Sequence, residues 1–526
     1  MKACILLIAA RLVLAQDGAV IEGTAYNKVT QAGVPGVSIT LATPSAPDTH
    51  LYTATSDTAG FFRIESVKYG DYVASFKAPD GFLAPRRSDP SCKPFQVVSG
   101  GEPTKLRIPI APMGSVGGRV LDAAGNPVPR VRVEIYRVHG GGGATVITNS
   151  EGRFSQSGLV PGPYRLRARP VLEGTPLSRR LKTVSPLSAK PPEGERWIWA
   201  PTYFPDSTEI NGATTIIVRE GLELPGFDIH ICSAPVFRLR GMVLDDEGKP
   251  AASVGLRLES ETGWSAAEAE TTSGQDGAFE FPSVRSGNWQ ITAQAARGET
   301  TLKGFAEFIM PRRNVEDVEL RIARPFTLDG VIEGTPQPLT AKTSLIVGLF
   351  PTTHGEQSVT TEQPGGKLHF ENLYPGIYRI GPFSKLPGHY LKSILLGTQD
   401  VSGLDVTLLQ NSPPIRMIYA PNAAHVRGRV ENGAGVKVVL IEADQQHFIT
   451  GESMRVSVCD REGQFAVDGL RPTTYYALAL ETSGNMNSGD LTEAVFAGGL
   501  GQSVQTVRLA EGDIATLNLA IAPWPF

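Results

Sequence analysis

At 526 residues the chain is too long for one compact core, so several domains are expected. Charged residues make up only 19% and the net charge is -4, which lacks the dense Lys/Arg footprint of duplex binding and excludes nucleic acid as the main partner. Gly 57 and Pro 40 are high, but without a short Gly period and with 41% hydrophobic residues the chain reads as neither collagen-like nor disordered.

Residues 1–15 read as a signal peptide: Lys2 as a basic start, an apolar stretch from Ala3 to Ala10, and the small-residue site Val13-Leu14-Ala15 before Gln16, with Arg11 interrupting the apolar run. Export to the periplasm, the outer surface or the extracellular space is therefore expected. No Cys follows the cleavage point, so a lipoprotein anchor is not indicated, and no run of about 18 apolar residues predicts a transmembrane helix in the mature chain. Cys4 leaves with the leader, and Cys92, Cys232 and Cys459 remain, an odd number far apart. A disulfide framework is not expected, and Cys232, in the run FDIHICS, reads as a small buried hydrophobe.

Five segments then repeat one pattern: a turn Gly, an apolar residue two later, a second turn and an aromatic. They pair Gly60 and Phe62 with Tyr72, Gly152 and Phe154 with Gly162 and Tyr164, and Gly277 and Phe279 with Gly287 and Trp289. Leu368 stands with Gly376 and Tyr378 in the fourth copy, and Gly463 and Phe465 stand with Thr473 and Tyr475 in the fifth. In every copy the two turn positions lie ten residues apart, as do the two apolar positions. Roughly 35 residues upstream of each lies a further glycine, at 23, 118, 241, 330 and 428, inside runs that alternate apolar and polar. Period-two runs split by Gly, Pro and Asp predict half-buried antiparallel strands, and a short helix is expected only at Leu491 to Ala497.

The fold expected is all-β: about five tandem immunoglobulin- or prealbumin-like antiparallel β-sandwich modules. Their expected bounds are 16–113, 114–235 with a long insertion at 170–212, 236–325, the divergent 326–420, and 421–526.

The best-preserved copies, with Val116-Gly-Gly-Arg-Val120, the turn Asp122-Ala-Ala-Gly-Asn-Pro127, then Glu151-Gly152-Arg-Phe154 and Pro161-Gly162-Pro-Tyr164, resemble carboxypeptidase regulatory-like domains. The resemblance is strongest at residues 115 to 170 and loosest in the fourth and fifth copies. It implies a transthyretin-like, carbohydrate-binding-like sandwich in exported bacterial envelope proteins, with the module accessory rather than catalytic. Fold alone does not fix a ligand.

No H-x-x-E or H-E-x-x-H motif supports a zinc peptidase, and His369-Phe-Glu371 and His354-Gly-Glu356 have the wrong spacing. His139-Gly-Gly-Gly-Gly143 imitates an esterase oxyanion loop without any G-x-S-x-G elbow and reads as a loop. The isolated acids Asp57, Asp276 and Asp460 do not converge as calcium binding requires. No catalytic residue, metal or cofactor is expected.

Two features are candidates for ligand binding. Trp197, Trp199, Tyr203 and Phe204, in the insertion, offer flat faces for sugar rings or peptide side chains, or cap their own sandwich. Arg165, Arg167 and Arg169 alternate with Tyr164, Leu166 and Ala168, which puts the guanidiniums on one sheet face. With Arg179, Arg180 and Lys182 they could hold an anionic glycan, or form a solvated outer face. The function expected is a non-catalytic binding or structural protein of the bacterial envelope, with a carbohydrate or envelope protein as partner. A spacer without a ligand is the alternative, and an accessory role in a peptidase or glycan-degrading system a remote one.

Overall fold

The computed structural model describes residues 18–44, 51–85, 89–99, 102–138, 142–185, 196–260, 267–335, 345–352, 357–460, 462–480 and 503–522. The expected leader at 1–15, the helix expected at Leu491 to Ala497, His139 and the His354–Glu356 motif lie outside them.

Among these residues the chain forms ten sheets, two for each of five β-sandwiches, and each sandwich has its own apolar core. The all-β, tandem-sandwich architecture expected from the repeat is the one observed. The alternating runs explain why: along Phe61–Val67 the side chains of Phe62, Ile64 and Val67 turn inward while Phe61, Arg63 and Glu65 stay in water. The two apolar residues of every repeat face each other's sheets, with Phe154, Tyr164, Phe279, Trp289, Leu368, Tyr378, Phe465 and Tyr475 all buried. Burying one such ring contributes about 2–3 kcal/mol.

One pairing departs from a purely antiparallel plan. The first strand of each sandwich lies antiparallel to the strand bearing the first apolar residue, and parallel to the closing strand. In the third sandwich Ser233–Leu244 runs antiparallel to Ala278–Arg285 and parallel to Val315–Arg321. Parallel first and last strands put the entry and exit of a sandwich at opposite ends.

The upstream glycine sits directly opposite the first apolar residue, as Gly23 opposite Phe62, Gly241 opposite Phe279 and Gly428 opposite Phe465. At Gly241 a Cβ would stand 2.2 Å from the Val318 carbonyl oxygen and 2.6 Å from Phe279 Cζ, so the bare backbone is what lets the ring lie across the strand. The acids Asp57 and Asp460, like Asn149, close their own turns, each Oδ1 accepting backbone N–H groups two and four residues on. Just before these turns, the buried hydroxyls of Ser56, Thr148 and Ser273 each bridge a backbone N–H and a carbonyl of the preceding connection. The fifth sandwich has Cys459 there, buried, its thiol pushed up to about 11 by desolvation and then by Asp460.

The described residues divide into two compact units, 18–114 with Arg219–Leu222 and Ser115–Val218 with 223–522. Inside the second unit successive sandwiches interlock. Tyr374 Oη of the fourth donates to the Thr301 carbonyl of the third at 2.8 Å, and Lys303 Nζ lies 5.0 Å over the Tyr374 ring. Ile449, from a loop of the fifth, is fully buried within the core of the fourth. No helix among the described residues is long and apolar enough to cross a membrane.

Candidate functional site

The Gly162–Arg169 strand keeps the alternation its sequence announces, with Tyr164, Leu166 and Ala168 inside the second core. The opposite face is not in water. Arg165 is half-buried, and Arg167 and Arg169 are only 4% and 6% exposed. The solvated guanidinium face is thereby corrected, and the cause is the insertion. After a turn at Glu173-Gly174 the chain forms a short helix, Pro176–Leu181, started by Thr175 Oγ1, which accepts the Ser178 N–H at 3.3 Å, with proline in the first turn. It returns as Thr202–Tyr203, antiparallel to Arg167 and Ala168 in the same sheet, which sets the Tyr203 side chain beside Arg167, while Leu172, Leu177 and Trp199 gather around Arg169.

The charges are matched across the strands. Glu134, 1% exposed, lies opposite Arg167 in the register. Arg167 Nε and Nη2 both donate to Glu134 Oε2, at 2.7 and 2.6 Å. Arg132 Nε lies 3.2 Å and Arg169 Nη1 3.9 Å from Oε1 of the same carboxylate. Arg167 Nη1 also donates to Tyr203 Oη at 3.3 Å, with its guanidinium carbon 5.6 Å from the Tyr203 ring centre. Desolvation pulls the Arg167 pKa down, but Glu134 and Tyr203 more than offset that, so the guanidinium stays charged. Glu134 escaped the sequence reading, although its place in the alternating run Val131–Ile135 puts it on the same outer face as Arg132.

The aromatic candidates are not an exposed platform. Trp197–Trp199 forms a strand antiparallel to Ser233–Pro235, the start of the third sandwich. Trp199 is buried in the second core, Trp197 is half-buried, and Tyr203 is 3% exposed. Phe204 meets Phe227 edge-to-face at 5.3 Å. The exposed stacking surface is thereby corrected: Tyr203 and Phe204 pack on their own sandwich, as the capping alternative has it, and the Trp197–Trp199 strand pairs with an edge of the next module. Cys232, expected inside, is half-exposed beside this strand, and its thiol donates to the Asp206 carbonyl at 3.0 Å.

A cleft of about 600 Å³ opens along this joint. One wall carries Arg167 and Tyr203, and the other carries Glu268, Arg285 and Trp289, the second repeat aromatic of the third sandwich. Arg285 Nη2 lies 3.1 Å from Glu268 Oε2, and its guanidinium carbon lies 5.3 Å from the Trp289 ring centre. Burial raises the Glu268 carboxyl, but Arg285, Arg169 and the Ser260 hydroxyl outweigh this and leave it below the ordinary carboxylate range. Paired guanidiniums flanked by hydroxyls suit the holding of oxyanions. His369, by contrast, lies on the surface of the fourth sandwich, with Nδ1 2.7 Å from Asp329 and Nε2 3.4 Å from Glu371. Among the described residues no group of three or more His, Cys, Asp or Glu side chains is placed to hold a metal ion.

The fold and this joint define the class: a multi-module β-sandwich protein in which neighbouring modules of the second unit interlock. Residues 115–174 match the carboxypeptidase regulatory-like domain family, on the segment where the sequence resemblance is strongest. No curated protein matches the chain. Among solved structures, a Streptococcal ancillary pilin is similar at 14% identity, covering 58% of this chain and 98% of its own, with a TM-score of 0.22. The Bacillus anthracis TIE protein is similar at 12% identity over 76% of this chain and 74% of its own, with a TM-score of 0.18. BcpA, the major pilin subunit of Bacillus cereus, is similar at 10% identity over 58% and 99%, with a TM-score of 0.18.

Proposed function

We propose that this chain is an exported, non-catalytic structural and binding protein of the bacterial cell envelope, its second to fifth sandwiches serving as stiffly joined support that meets a carbohydrate or protein partner along its surface. The reading rests on one observation: the strand Trp197–Trp199 leaves the second sandwich to extend a sheet of the third. A joint built by strand pairing resists bending, because its hydrogen bonds must break before the modules can swing. Ile449 in the fourth core supports the same reading at the last joint. The carboxypeptidase regulatory-like match supports an accessory role in an exported protein.

The alternative of a spacer without a ligand is favoured by the burial of Trp199 and Tyr203, which removes the stacking platform. Fractionation of cells producing a tagged chain tests the location, with recovery in the envelope or medium expected and recovery wholly in the cytosol contradicting it. Hydrogen exchange tests stiffness at the joint, where the amides of Ala200 and Val236 donate across it to Cys232 and Arg196. Protection comparable to the sandwich cores is expected there, and exchange at loop rates counts against the reading.

A further inference from the structure

We propose that the groove along the joint of the second and third sandwiches binds an anionic polysaccharide, a polymer carrying carboxylate or sulfate groups along a hydroxyl-rich backbone. This rests on the binding reading above and names its ligand class and place.

The 600 Å³ cleft does not stand alone. A small cleft shares Pro201, Glu268 and Arg285 with it and shares Leu177 and Ala267 with a further cleft of about 390 Å³, so the three lie in series along the joint as one groove region. Six arginines line it: Arg167, Arg169, Arg179, Arg180, Arg257 and Arg285. Against them stand Glu209, Glu268 and Glu270 in the lining, with Glu134 behind Arg167 and Arg169 and Glu259 beside Arg257, which leaves a small positive excess in a chain whose net charge is -4. A local excess of one sign against the opposite overall charge concentrates counter-charged partners there.

The arginines fall into two kinds. Arg167 and Arg169 are buried and fixed by Glu134, while the side chains of Arg179 and Arg257 are 63% and 54% exposed and share Glu270, with Glu259 3.9 Å from Arg257 as well. A groove with charges spread over its length matches a chain of repeated anions better than one small anion. Thr208, Ser260 and Asn288, in the larger cleft, supply the hydroxyl and amide groups that saccharide hydroxyls require.

The test uses the full chain and three immobilised polymers, polygalacturonate, dextran sulfate and neutral dextran, with duplex DNA as a further polyanion. Retention on polygalacturonate, on dextran sulfate or on both, but not on neutral dextran, is expected, and it should weaken as salt rises. Which polymer is held tells carboxylate from sulfate. R179E/R257E should weaken retention by about tenfold or more, whereas the same charge change in R321E/R324E, whose side chains are 66% and 58% exposed, should leave it unchanged. Equal weakening by both double variants overturns the groove. Retention of duplex DNA with the same sensitivity to R179E/R257E overturns the glycan assignment, since charge alone would then be read. No retention on any polymer at low salt overturns the inference and leaves the location and the stiff joint, tested separately, untouched.

Discussion

Tyr72 Oη donates to the carbonyl oxygen of Lys68, four residues back along the chain, at 2.9 Å. The same link recurs from Tyr164 to Val160, from Trp289 Nε1 to Arg285 and from Tyr378 to Tyr374. In the fifth sandwich the polarity inverts: Tyr475 Oη accepts the Arg471 N–H at 3.0 Å and offers its proton to Glu442. The ten-residue spacing of the repeat is thus a spacing of bonded corners, each ring closing a core with its body and tying down the preceding turn with its polar atom.

Tyr72→Phe keeps the ring and loses only the bond, so it is expected to cost about 1 kcal/mol in urea denaturation of the first sandwich. A cost near zero would mean that the corner does not hold the turn.

Gly241→Ala is expected to destabilise by about 1–3 kcal/mol, because the new methyl group meets both the Val318 carbonyl and the Phe279 ring. At an open strand position the same change is neutral or favourable. A melting temperature at or above that of the parent would refute the close-approach account.

Glu134→Gln removes the one carboxylate that three arginines share. Leaving Arg167 and Arg169 buried without it is expected to cost about 3–5 kcal/mol by chemical denaturation, far beyond what a surface ion pair is worth. A loss under about 1 kcal/mol would show that water or another anion replaces the carboxylate.

The arginines show where sequence reasoning stops. Their alternation placed them on one sheet face, and it does so in the structure, since period two is a property of the strand itself. What lies against that face comes from residues 170–185 and 196–212, whose irregular pattern of Pro, Gly and Ser gives no local signal of folding back as the Thr202–Tyr203 strand. The five cores were legible because Gly and aromatic positions recur at fixed offsets. The joints were not, because Ile449 and Trp199 look like any apolar residue until the neighbouring sandwich is in place. The helix at Pro176–Leu181 did carry a signal, Thr175 before Pro176, that was open to reading.

Burial raises the Glu442 carboxyl above its ordinary value, and Arg471 and Ser453 only partly counter it. Between the ordinary value of about 4.3 and the raised one, the folded chain keeps a proton that the unfolded chain has released, so stability falls as pH rises through that window. Glu442→Gln removes this slope. Its stability relative to the parent is expected to rise with pH from about 4 and then level off. A difference that stays constant with pH would contradict the assignment.

Hydrogen exchange on Phe62→Ala, followed by mass spectrometry along the whole chain, is the decisive measurement. If each sandwich is closed by its own aromatic pair, protection is lost across residues 18–113 and kept in residues 115–522. Loss throughout the chain, or none at all, would mean that the repeated rings are not what holds the individual sandwiches together.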